Sequence, residues 1–91
     1  MPEVEVRQMP AFKRIYKRLH KREKTEVDAA IREIIVNPEI GEPKKGDLSG
    51  AYGHKFKMAK QETLLAYEWG VSLRLLLLLG SHENFYRDLK R

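Results

Sequence analysis

The chain contains no cysteine. A small secreted domain with little room for a core usually depends on disulfide staples, so this lack points to the reducing cytoplasm. Long hydrophobic runs are missing too. The longest, Leu75 to Leu79, falls far short of the roughly 20 apolar residues that span a bilayer, and no membrane role is expected. The opening Met1-Pro2-Glu3-Val4-Glu5 lacks the basic and apolar regions of a secretory signal. No group of His, Cys or Asp has the spacing of metal ligands, so neither metal nor cofactor is expected. Proline and glycine are scarce outside one stretch, Asn37 to Gly50, which holds two prolines and three glycines. That stretch reads as a loop within one unit, not as a linker between two.

What is present is positive charge. The 91 residues, 42% of them hydrophobic, are long enough for one globular domain covering 1–91. Lys and Arg number 18 against 13 acids, for a net charge of +5. Nucleic acid, an acidic protein or an anionic surface could all answer that balance. Seven of the basic residues, Lys13, Arg14, Lys17, Arg18, Lys21, Arg22 and Lys24, crowd into twelve positions.

The pattern of the chain predicts an α+β fold. Glu3 to Met9 alternates with period two and reads as a half-buried strand. Pro10 stops it and suits a helix's first turn. Phe12, Ile15, Tyr16 and Leu19 then recur at helical spacing, with Lys13, Arg14, Lys17, Arg18 and Lys21 on the opposite face. A second helix is expected over Glu23 to Val36, buried along Val27, Ala30, Ile31 and Ile34, with Thr25 and Asp28 as a capping pair if it starts late. Asn37-Pro38 ends it. A three-stranded antiparallel meander follows: Tyr52 to Met58, a turn at Lys60-Gln61, Thr63 to Trp69, a turn at Gly70, and Ser72 to Leu79. Tyr52, His54, Phe56 and Met58 share one face of its first strand, and Gly53, Lys55 and Lys57 the other. Both faces of the last strand are leucine. A helical hairpin can cover only one, so the C-terminal segment or a second protein must cover the other. Ser81 to Arg91 reads as a short C-terminal helix capped by Ser81.

Strand, helical hairpin, meander and C-terminal helix is an order that resembles the RelE/ParE superfamily, the toxins of bacterial type II toxin–antitoxin systems. Phe12-Lys13-Arg14-Ile15-Tyr16-Lys17-Arg18-Leu19 is similar to their first-helix signature. Leu48-Ser49-Gly50 resembles their L-x-G entry into the second strand, and His54-Lys55-Phe56-Lys57-Met58 the basic-apolar-basic strand after it. Leu64-Leu65-Ala66-Tyr67 resembles their xxVY strand, and Gly80-Ser81-His82 the ending of several ribosome-dependent members. The segment His82 to Leu89 resembles a ParE-like branch. The resemblance implies a RelE-like fold and a cytoplasmic toxin held by a cognate antitoxin. It leaves two activities open, mRNA cleavage on the ribosome and inhibition of DNA gyrase.

Metal-free RNA cleavage needs a group to activate the 2′-hydroxyl, cations to offset phosphate charge and an acid for the leaving oxygen. The resemblance places Lys55 and Lys57 where RelE-like toxins keep a catalytic basic pair. It places His82 where relatives carry a histidine or arginine, with Tyr86 one helical turn on, able to stack on a base. Lys13, Arg14, Lys17, Arg18, Lys21, Arg87 and Lys90 would contact RNA, on the ribosome and its mRNA. Each has a plainer reading: the lysines as solvated strand residues, Tyr86 as a packing aromatic, the basic helix as an ordinary wet face. His54 reads as a core or sheet-face histidine and His20 as a solvated one. One departure stands out. RelE-type ribonucleases carry an arginine just before the xxVY core, and its place falls on Leu64. A missing cation suits the gyrase alternative, or a member that binds antitoxin without toxicity. The antitoxin itself is expected to offer an acidic amphipathic segment, its apolar positions meeting exposed leucines of the meander.

Overall fold

The computed structural model describes residues 3–43 and 50–81. β1 (Glu5–Gln8) leads into α1 (Pro10–Lys17) and α2 (Lys21–Val36), then a 3-10 turn at Pro38–Ile40 and a two-residue β2 (Glu42–Pro43). β3 (Tyr52–Met58), β4 (Gln61–Gly70) and β5 (Leu73–Ser81) complete the order. They form one five-stranded sheet in the order β1-β5-β4-β3-β2. β3, β4 and β5 are the antiparallel meander, and β1 returns to lie parallel beside β5. The α+β class and the meander are as the sequence predicts. The sheet is wider, because β1 and the short β2 extend it on either side. The C-terminal helix expected over 81–91 lies outside the described residues beyond Ser81.

Both helices pack on one face of the sheet. Phe12 of α1 and Val27, Ala30 and Ile34 of α2 are buried against Leu65, Tyr67, Leu76 and Leu79. Burying each large side chain contributes roughly 1.5–3 kcal/mol, so this layer holds the fold together. Tyr16 of α1 donates its hydroxyl to the Asp28 carboxylate of α2 at 2.9 Å, while Lys24 sits over its ring. Asp28 therefore joins the two helices and is not part of a cap. α2 begins two residues earlier than predicted, at Lys21, because the His20 backbone N–H donates to the Glu23 carboxylate at 2.9 Å. The exchange satisfies an N-terminal donor that would otherwise be orphaned.

The run of leucines is resolved by a β-bulge. Ala66 faces Leu78 while Tyr67 faces Leu76, leaving Leu77 as the extra residue. Leu76 and Leu79 thereby join the helix-covered core. Leu77 and Leu78 instead pack with Leu64 and Ala66, which are fully buried on the opposite face. None of the five leucines is exposed: Leu76 and Leu79 are buried and Leu75, Leu77 and Leu78 half-buried. The expectation of exposed leucines awaiting a partner is corrected accordingly.

Two turns also depart from expectation. The β3–β4 connection is Ala59-Lys60, since Gln61 already pairs with Met58. Both turn residues have positive φ, 52° and 66°, the handedness that matches hairpin twist even though neither is glycine or asparagine. The Ala59 N–H donates to the Glu26 carboxylate of α2 at 2.9 Å, which holds the turn under the helix. The region after α2, expected to be all loop, is anchored by Tyr67. Its hydroxyl donates to the Pro38 carbonyl at 2.6 Å and accepts from the Gly41 N–H at 3.1 Å. A Cβ at Gly41 would lie 2.7 Å from that hydroxyl, so glycine is required by the close approach.

Candidate functional site

Strand alternation decides where the predicted site residues go. In β3, Tyr52, Phe56 and Met58 pack towards the helices and His54 is 7% exposed. Lys55 and Lys57 must therefore project from the opposite face, and both are exposed. Across β4, Lys57 pairs with Glu62 and Lys55 with Leu64, and Leu64 in turn pairs with Gly80 of β5. The lysines thus border the apolar strip of Leu64, Ala66, Leu77 and Leu78. Neither makes an ion pair among the described residues. Two exposed ammonium groups on one strand face form a surface that attracts a phosphate, while Leu64 and Ala66 beside them are fully buried and offer no apolar surface.

Leu64 occupies the middle of the row Lys55–Leu64–Gly80 and is fully buried. The departure from the ribonuclease pattern is therefore structural as well as chemical: the expected arginine's place is taken by a side chain packed into the sheet. The row ends beside Ser81, from which the chain runs on to His82. His82, Tyr86, Arg87 and Lys90 lie outside the described residues.

The other basic cluster is elsewhere. Lys13, Arg14 and Lys17 of α1, with Arg18 and Lys21 after it, are all exposed. Since α1 buries Phe12 on the helix-covered face, this cluster and the Lys55–Lys57 pair lie on opposite sides of the sheet. The structure unites the two lysines and separates them from the helical cations.

Two titratable groups were passed over in the sequence. Arg74 is 4% exposed, and its guanidinium donates only to backbone carbonyls: Ile34 at 2.7 Å, Ile35 at 3.0 Å, Gly70 at 2.8 Å and Leu73 at 2.9 Å. It thereby satisfies the last turn of α2 and fastens it to the start of β5, with Trp69 under it. A lone cation beside a run of leucines was the signal for such a clamp. Tyr67 is the other. Burial pushes its hydroxyl above the ordinary tyrosine range, opposed by the Gly41 N–H, with Tyr52 adding to the rise and Arg74 to the opposition. Tyr16 is likewise raised, by burial and then by its bond to Asp28. His54 behaves as a sheet-face residue: its Nε2 lies 3.2 Å from a Glu33 oxygen but outside hydrogen-bonding geometry. Among the described residues, no three His, Asp or Glu side chains converge as a metal site would require. No helix among them is long and apolar enough to cross a membrane.

The fold has close counterparts among solved structures. RelE of Escherichia coli in the intact RelBE toxin–antitoxin complex is 14% identical, covers 86% of this chain and 95% of its own, and superposes with a TM-score of 0.68. A mutant of the same toxin in the free state is 14% identical over 100% of this chain and 98% of its own, with a TM-score of 0.69. The YoeB/ParE toxin of Agrobacterium tumefaciens is 17% identical over 87% of this chain and 99% of its own, with a TM-score of 0.68. No curated protein matches the chain. The family model for the ParE-like toxin of type II bacterial toxin–antitoxin systems matches residues 6–90. That match takes in both helices, the whole meander and the Lys55–Lys57 strand, and on it the chain belongs to the ParE-like toxins of type II toxin–antitoxin systems.

Proposed function

We propose that residues 1–91 act as one toxin domain, a ribosome-dependent endoribonuclease that cuts mRNA and arrests translation in the cytoplasm. The observation that carries this reading is the exposed Lys55–Lys57 pair on the face of β3 turned away from the helices, with no ion-pair partner among the described residues. There the two ammonium groups would offset charge gathering on the scissile phosphate. His82 would exchange the proton as acid or base, and Tyr86 would position the substrate. Arg87 and Lys90 would add phosphate contacts. The cations of α1 stand on the other side of the sheet, so a partner that meets both clusters must surround the domain. That requirement favours a large ribosomal site over a short free RNA strand.

A second reading is inhibition of DNA gyrase without catalysis. Fully buried Leu64, standing where the ribonucleases keep an arginine, favours it. In either reading a cognate antitoxin would silence the toxin, as RelE is found in complex with its antitoxin. Its acidic amphipathic segment would neutralise Lys55 and Lys57 or the α1 cations.

Purified toxin added to a defined translation reaction separates the readings. Cleavage of mRNA with ribosomes present, none of naked RNA, and unchanged gyrase supercoiling are expected. Efficient cutting of naked RNA would remove the ribosome from the account. Loss of supercoiling with intact translation would replace it with the gyrase reading.

A further inference from the structure

The two edges of the sheet are not equally protected. β2 is only two residues long and ends in Pro43, features that blunt an edge against pairing. β1 has four residues, all exposed, and no proline. In its parallel ladder with β5, the N–H groups of Glu5 and Met9 donate inward to the Ser72 and Leu76 carbonyls, each at 2.9 Å. Alternation sends the Arg7 N–H the same way and turns the backbone groups of Val6 and Gln8 outward. No described strand pairs with that outer side.

We propose that β1 pairs with β1 of a second copy of this chain, antiparallel about a two-fold axis through Val6, joining the two sheets edge to edge. The register follows from the backbone. Val6 would exchange N–H···O=C bonds with Val6 of the other copy, because its groups point outward. Glu5 would then face Arg7 of the other copy, and Arg7 its Glu5. These fall at the non-hydrogen-bonded positions, where cross-strand side chains approach closest. In the single chain Glu5 and Arg7 already pair with each other while largely exposed, which places them on one face of the strand. Other outward-facing centres do worse. A two-fold axis at Val4 would set Glu3 against Glu5, and one at Gln8 would set Arg7 against Met9 and run into Pro10. The charge pattern of Glu5-Val6-Arg7 is complementary to itself about Val6, and this argues for a second copy over an unrelated strand. Val6, 37% exposed, would be covered at the centre.

Sedimentation equilibrium of the purified chain tests this, beside variants whose folding is checked by circular dichroism. Wild type should show a concentration-dependent monomer–dimer mass. Val6→Pro removes an outward N–H that the monomer does not use, a position where edge strands accept proline. It should raise the dimer dissociation constant about ten-fold or more at unchanged helix and sheet content. Glu5→Arg and Arg7→Glu should each weaken the dimer, and the two combined should restore it, with the circular dichroism of all three unchanged. A chain monomeric up to about 1 mM, or a dimer indifferent to all these changes, overturns the proposal. So does a monomer whose Val6→Pro variant loses antitoxin binding, which would give the edge to the antitoxin.

Discussion

On the helix-covered face of the sheet the Tyr67 hydroxyl and the Arg74 guanidinium meet backbone groups. On the opposite face Lys55, Lys57 and Glu62 stand in solvent around a strip of leucine and alanine. The first face spends its polar chemistry on structure. Arg74 ties α2 to β5 with four of its five N–H donors, and Tyr67 ties the Pro38–Gly41 turn to β4 with its only one, so both groups are committed to the backbone. The second face keeps Lys55 and Lys57 exposed beside a buried apolar cluster, and neither lysine has an ion-pair partner among the described residues, so their charge adds little to stability. Substitutions on the two faces should therefore separate into those that unfold the protein and those that disarm it.

The largest effect is expected at Arg74. Arg74→Met removes the donors that satisfy one buried and three part-buried carbonyls and should lower stability by about 3 kcal/mol or more, read by urea unfolding, with toxicity falling only as folded protein is lost. Replacing Lys55 and Lys57 by alanine should do the reverse. Growth inhibition should fall on the order of 10²-fold, while the unfolding midpoint changes by less than about 0.5 kcal/mol. Equal toxicity at equal soluble expression would dissolve the distinction between the faces.

How far this division could be read in advance depends on the residue. Alternation in Tyr52 to Met58 separates His54, Phe56 and Met58 from Lys55 and Lys57, because a strand has period two and one wet face. The same rule fails at Leu75 to Leu79, where five identical side chains give no phase, and only the bulge at Leu77 assigns them to faces. Arg74 is a surface type by composition, and its four carbonyl partners come from segments up to 40 residues away, a distance that local patterning does not span. The Ala59-Lys60 turn was missed because neither residue favours positive φ. Pairing of Met58 with Gln61, together with the Glu26 bond to Ala59, overrides that preference. Of the site itself, the Lys55–Lys57 pair was legible and is brought onto one face. Its separation from Lys13 and Arg14 was not, since it depends on which side of the sheet α1 takes.

Smaller effects sharpen the picture of the structural face. Tyr67→Phe keeps the ring and loses both hydrogen bonds, which should reduce stability by about 1–2 kcal/mol and leave activity per folded molecule unchanged. The raised Tyr67 and Tyr16 hydroxyls mean the folded state holds these protons more tightly than the unfolded chain. Their contribution is complete below the ordinary tyrosine pKa of about 10 and is lost as pH climbs through the raised values. Thermal melts across that range should show the decline, and Tyr67→Phe should make it shallower. Smallest is Lys60→Gly, which relieves a side chain held at a φ of 66° and should raise stability by about 0.5–1 kcal/mol.

Mapping mRNA 5′ ends in cells that express either wild-type toxin or the Lys55→Ala, Lys57→Ala variant, at matched soluble levels, tests the working face most directly. New ends should appear within translated regions for wild type, disappear when initiation is blocked, and be reduced on the order of 10²-fold in the variant. Undiminished cleavage by the variant, or wild-type growth arrest with no new ends at all, would contradict the assignment of Lys55 and Lys57 to RNA cleavage.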